Sequence, residues 1–158
     1  MMCQYCGCRD IPLLRDYIAE HERVINCGGE AVRALDRGEY GQARSLLAEM
    51  AEELRSHWRG EEEGLFVVMA AADDLYGDYI APLVREHRDL DALLESVDLS
   101  DPDDQARIRA AMDELYEHIA KEEDGLFPAS LTALDGEQWD AAISGWQAAH
   151  PGQHLIGR

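Results

Sequence analysis

A ten-residue stretch occurs twice in this chain, and the doubling constrains the fold more than any other feature. His57-Trp-Arg-Gly-Glu-Glu-Glu-Gly-Leu-Phe66 matches His118-Ile-Ala-Lys-Glu-Glu-Asp-Gly-Leu-Phe127 at six of ten positions. Upstream of each copy, Glu20–His21 is answered by Glu86–His87. The repeating unit is one helix pair long, so the chain reads as two helix pairs related by pseudo-symmetry and not as a solenoid.

Helix signals agree with that reading. Asp10 and Pro12 open a first helix that runs on to Gly38, and apolar positions spaced by three or four define a second from Tyr40 to Ala72. Gly77–Asp78 opens a third that carries Pro82 early and fades near Val97. Ser100, Asp101 and Pro102 start a fourth, expected to end at Gly125 before Pro128. The Asp135–Gly136–Glu137–Gln138 box starts a shorter fifth carrying Trp139 and Trp146. Gly28–Gly29 and Gly60, inside helices, read as places where another group comes close, or as kinks. The expected fold is all-α: an up-down-up-down four-helix bundle with a short extra C-terminal helix. Its parts are a Cys-rich tail over 1–9, the bundle over 10–130, and the C-terminal helix and tail over 131–158.

Composition limits the function. Hydrophobic residues at 46% beside 30% charged describe a folded chain. Fourteen Lys and Arg against 33 Asp and Glu leave a formal charge of −19, which repels phosphate backbones and anionic headgroups. Nucleic-acid and membrane partners are therefore not expected. The longest apolar run, Leu65 to Ala72, is far short of a bilayer span, and no signal peptide is visible. The expected location is cytoplasmic.

The histidines point inward. Three residues before each stand Ile18, Leu54, Val84 and Leu115, and one further turn back stand Leu14, Met50, Ile80 and Ala111. His21, His57, His87 and His118 thus share the stripe that must face the core. Glu61 and Glu122, each four residues after a histidine, share its face. Two carboxylates facing an apolar interior are costly unless a positive group pairs with them, and no Lys or Arg shares these faces. A metal ion supplies the missing charge. If both carboxylates bridge two metals, each metal receives two carboxylate oxygens and two imidazole nitrogens. That donor set suits non-haem iron, with manganese or zinc as substitutes. Glu53 and Glu114, one turn before His57 and His118, are either orienting partners or solvated surface residues. The runs Glu61–Glu63 and Glu122–Asp124 are read as one inner residue each and otherwise surface charge. Trp58, Trp139 and Trp146 read as packing anchors.

The spacing His…His-x-x-x-Glu…His…His-x-x-x-Glu, with Leu-Phe and Leu-Phe-Pro after the two motifs, resembles the hemerythrin-like (HHE cation-binding) family of di-iron proteins. The resemblance spans roughly residues 10 to 130. It implies two non-haem iron ions with an oxo or hydroxo bridge. His21, His57, His87 and His118 would be terminal ligands, and Glu61 and Glu122 bridging carboxylates. The small partner would be dioxygen, peroxide or nitric oxide; a protein partner is unknown. Oxygen-carrying members have a further histidine one turn beyond the first on the third helix, where this chain has Asp91. An imidazole is replaced there by Asp91, by a side chain such as Tyr17, or by water, which favours a reactive or sensing site over a carrier. A ferritin-like site would need Glu-x-x-His, and the residues three before these histidines are all apolar.

Three closely spaced thiols, Cys3, Cys6 and Cys8, form a second group. They read as a thiolate site for zinc, a redox-active group, or a tail without metal. Cys27 is too far up the first helix to join them. His150, His154 or a cysteine of another subunit would have to complete a tetrahedron. A non-catalytic iron, oxygen or redox sensor that uses these cysteines is the alternative function, and a peroxide- or nitric-oxide-consuming enzyme is a third.

Overall fold

The structure is a computed structural model and describes residues 7–156. It is all-helical, with no strand among those residues. After a 3-10 turn over Cys8–Asp10, helix α1 spans Leu14–Asp36 and α2 Tyr40–Gly60. A π-helical turn over Glu61–Phe66 carries α2 into α3, Val67–Ala72. Helix α4 spans Asp74–Ser96 and α5 Pro102–Lys121, and a second π turn over Glu122–Leu126 leads into α6, Phe127–Ala133. Helix α7, Gly136–Ala149, follows. The result is the expected up-down-up-down bundle: α1, α2 with α3, α4, and α5 with α6, plus a short fifth helix. Among the described residues no helix is long and apolar enough to cross a membrane.

Several helix ends differ from expectation, each for a local reason. Asp10 closes the 3-10 turn instead of capping α1. The entry to α1 is held from inside, where Asp16 Oδ2 accepts the Leu13 N–H at 3.0 Å. Asp73 is extended and accepts the Leu75 N–H, so α4 begins before Gly77 and Pro82 is interior. The fourth rod does not stop at Gly125. Its π turn shifts the hydrogen-bond register, so Pro128 falls in the first turn of α6, where no intrahelical donor is required. Asp101 and the Asp135–Gln138 box cap α5 and α7 as expected.

The core is two apolar halves with a polar layer between them. Leu14, Tyr17, Leu65, Phe66, Leu83, Leu126 and Phe127 belong to one half, and Val24, Leu47, Met50, Leu54, Ile108 and Leu115 to the other. Along every rod the histidine falls where one half gives way to the other: between Ile18 and Val24, between Leu54 and Leu65, between Leu83 and Leu90, and between Leu115 and Leu126.

Helix α7 packs across the first π turn, and two glycines allow it. A Cβ on Gly145 would lie 2.2 Å from the Glu63 carbonyl oxygen, and one on Gly64 would lie 2.8 Å from the Ala142 carbonyl oxygen. Both obstacles are backbone and cannot swing aside. Gly145→Ala is therefore expected to cost about 2 kcal/mol through forced backbone displacement. The melting temperature should fall by several degrees, and an unchanged value would show that the crossing is not this tight.

Candidate metal centre

Each rod delivers its histidine to one level. The rings of His21 and His57 lie 4.6 Å apart, and those of His87 and His118 4.8 Å apart. For the second pair the helix lengths on either side of the connection differ. The loop absorbs this by folding back along α5, where Asp104 accepts the Asp98 N–H and Gln105 donates to the Leu99 carbonyl.

Glu61 and Glu122, both at 0% exposure, stand between the two imidazole pairs. Glu61 Oε1 is 3.0 Å from His57 Nε2 and 3.5 Å from His87 Nε2, and its Oε2 is 3.8 Å from His21 Nε2. Glu122 Oε1 is 3.3 Å from both His21 Nε2 and His118 Nε2. His87 Nε2 and His118 Nε2 are 3.1 Å apart. All four carboxylate oxygens, and His21 Nε2, lack a hydrogen-bond partner among the described residues. Buried oxygens of this kind are costly without a cation. The ligand atoms form two overlapping groups, His21–His57–Glu61–Glu122 and Glu61–His87–His118–Glu122, each within 4.8 Å. Both carboxylates belong to both groups. The donors fit metal ions.

The far side of each imidazole faces a carboxylate from the neighbouring rod. His21 Nδ1 donates to Glu123 at 2.7 Å, His87 Nδ1 to Glu62 at 2.9 Å and His118 Nδ1 to Glu86 at 2.7 Å. His57 Nδ1 is 3.4 Å from Glu20, a looser contact outside hydrogen-bond geometry. The pattern obeys the internal repeat: the residue before each first histidine serves the second, and the residue after Glu61 or Glu122 serves the first. Glu123, Glu62 and Glu86 orient their rings by hydrogen bonds, Glu20 faces His57 as an ion-pair contact, and each ring aims Nε2 at the centre.

Glu62 and Glu123 were expected on the surface. The π turns, wider than an α turn, swing both toward an imidazole. Glu53 instead pairs with Arg23 at the surface, and Glu114 is exposed. Asp91 is not part of the centre: it accepts from Arg55 Nε at 2.9 Å on the outer face. Tyr17 borders the centre without joining it. Its hydroxyl donates to the Gly60 carbonyl at 2.7 Å, while burial and then the Glu61 charge raise its pKa well above normal, so it stays protonated. Trp58 does more than pack at random, since it stacks on His87 with ring centres 5.0 Å apart.

Electrostatics follow from the geometry. Burial, the largest single influence, favours neutral imidazoles, yet the carboxylates together outweigh it, Glu61 and Glu20 at His57 and Glu122, Glu61 and Glu86 at His118, lifting each to about 9. His21 is raised as well, by Glu122 and Glu123 against burial. Burial pushes the outer carboxylates up, but hydrogen bonds from imidazoles and surface cations prevail. Glu20, Glu62, Glu86 and Glu123 all lie below the usual range.

A cavity of about 180 Å³ between α4 and α5 reaches His87 and His118. Trp58, Leu90, Leu93, Ala111 and Leu115 wall it. Cys3 and Cys6 lie outside the described residues, as does the side chain of Cys8. His150 is not a candidate to complete a zinc site there, because Nε2 bonds Glu20 and Nδ1 bonds the Trp146 carbonyl.

A helical bundle with a buried layer of four imidazoles and two shared carboxylates defines a metal-binding bundle protein. The family model for the hemerythrin HHE cation-binding domain matches residues 13–130, and the chain belongs to that family. Neither the curated proteins nor the solved structures contain a significant match to the chain.

Proposed function

We propose that this chain is a non-haem di-iron protein that reacts with a small oxidant, namely dioxygen, peroxide or nitric oxide. The observation that carries the reading is the pair of overlapping donor groups that share Glu61 and Glu122. Imidazole and carboxylate without thiolate is a donor set suited to iron. His21 and His57 would hold one ion and His87 and His118 the other, with both glutamates bridging. Two irons held there would supply the electrons for reduction of the oxidant.

The chain's own residues do the rest. Glu20, Glu62, Glu86 and Glu123 keep the imidazoles turned inward. The two apolar half-cores exclude bulk water, and the cavity beside Trp58 gives a small molecule a way to His87 and His118. Asp91 is held by Arg55, so the position of the extra histidine in oxygen carriers offers no donor here. A donor set with few imidazoles and hard oxygens favours the ferric state, which supports a reactive centre over a reversible carrier.

Protein purified from iron-rich medium is expected to hold two irons per chain, with near-ultraviolet charge-transfer absorption. Air should convert the reduced form to ferric without a lasting oxygenated spectrum, and hydrogen peroxide should react with it. One zinc and no iron would sink the di-iron reading. An oxygenated spectrum lost on deoxygenation and regained on re-exposure would restore the carrier.

A further inference from the structure

The four outer carboxylates are backed in two ways. Behind Glu123, Glu62 and Glu86 stand Arg9, Arg88 and Lys121, at 2.8, 2.8 and 2.7 Å. Glu20, only 2% exposed, is backed instead by His150, whose Nε2 meets Oε1, and by Trp146, whose Nε1–H donates to Oε2 at 3.3 Å. Both residues belong to the C-terminal segment, beyond the 13–130 span of the family match.

The surroundings are shaped for this contact. His150 is 3% exposed, its Nδ1 bonds the Trp146 carbonyl at 2.8 Å, and the two rings stack at 4.1 Å. Helix α2 gives way at Gly60, where a Cβ would lie 2.8 Å from His150 Cε1. The tail is then pinned to α1, with Leu155 buried and the Ile156 N–H donating to Asp16 at 2.7 Å.

We propose that His150 and Trp146 are positioning residues for His57, so that the C-terminal helix is a working part of one half of the centre. The proposal rests on the ligand reading above. Glu20 is the acceptor that faces His57 Nδ1, and the other three acceptors lie closer to their rings than it does. What holds it in place is therefore the pair of donors behind it. Remove them, and a buried carboxylate loses its charge-assisted partner and its fixed direction. His57 then loses the group that orients its ring, whereas His87 and His118 keep theirs.

The test follows chelator-driven release of iron from the loaded full chain. His150→Ala is expected to speed loss of one of the two irons by about 10- to 100-fold, the usual effect of removing an orienting partner, while the other leaves near the wild-type rate. His150→Gln retains a donor at the Nε2 position and should recover most of the difference. Leu155→Ala loosens the tail without touching Glu20, so it should lower the melting temperature but not separate the two irons. Should His150→Ala fail to fold, Trp146→Phe keeps an aromatic ring against His150 while it deletes the indole donor and trims the buried ring. A selective, smaller loosening is expected from it, and unchanged release would overturn the role. Unselective release from a folded His150→Ala would overturn the proposal while leaving the di-iron reading intact, as would selective loss from Leu155→Ala. A wild type that takes up no pair of irons would sink the ligand reading and this proposal together.

Discussion

Replacing either Glu61 or Glu122 with alanine is expected to release both metal ions, taking the chain from two bound ions to none at micromolar protein. Oxygens of Glu61 lie between 3.0 and 3.8 Å from imidazole nitrogens of His57, His87 and His21. Glu122 reaches His21 and His118, so each glutamate stands against both imidazole pairs. With both glutamates bridging as proposed, deleting one would remove a ligand from each ion and a negative charge from between two cations. His57→Ala removes a ligand from one ion only, so a single ion should persist in that variant. Elemental analysis after desalting distinguishes the cases. One ion kept by Glu61→Ala or Glu122→Ala would make the carboxylates terminal ligands instead of bridges. The loaded wild type should also be more stable than the metal-free form by about 4 kcal/mol when free metal is a thousandfold above its dissociation constant. That increment should vanish in both glutamate variants.

The buried cluster of four histidines and two glutamates was legible because helix geometry and the internal repeat point the same way. Apolar residues three before each histidine place it on the core stripe, and Glu61 and Glu122 follow by one turn. The outer shell was not legible, for a physical reason that can be named. An α-helix steps about 100° per residue, which turns Glu62 and Glu123 off the face of Glu61 and Glu122. The π turns that begin at Glu61 and Glu122 change that step, and no residue type announces a π turn as proline or glycine announces a helix end. The hints lay in the repeat: Glu20 and Glu86 are matched beside their histidines, and Glu62 and Glu123 are matched while their neighbours Glu63 and Asp124 are not. His150 had no spacing signal at all, being 130 residues from Glu20. Of the three groups that could stand in for the missing imidazole, Asp91 is drawn away from the centre. It shares a nominal face with His87, but Arg55 on α2 offers it a better partner at the surface. Pro128 misled, since the preceding π turn moves it into a first-turn position.

The metal-free protein is expected to lose stability as pH rises from 6.5 to 9.5, and the loaded protein is not. In the metal-free fold burial lowers His57 and His118, but the carboxylates around them, Glu20, Glu61, Glu86 and Glu122, together prevail and lift both to about 9. An unfolded histidine titrates near 6.5. The folded state therefore holds these protons more tightly, so their contribution is fully present below about 6.5 and disappears as pH climbs through about 9. For the pair the loss is on the order of several kcal/mol, enough to lower the melting temperature of a chain this size by about 10 °C. Glu62, Glu86 and Glu123 act at the other end: their pKa values are lowered, so what they contribute is present above about 4.3 and fades as pH falls. Metal-free stability should thus peak between about pH 5 and 6.5. A metal ion needs the same Nε2 lone pairs that the protons occupy, so uptake must release protons. Its apparent affinity should then rise about tenfold per pH unit for each proton displaced, up to pH 9. Melting curves of both forms at pH 6.5 and 9.5 separate the outcomes. A metal-free protein equally stable at both would mean that its buried imidazoles are neutral. Glu61 and Glu122 would then carry the full cost of their isolation, which makes the metal ion still more necessary to the fold.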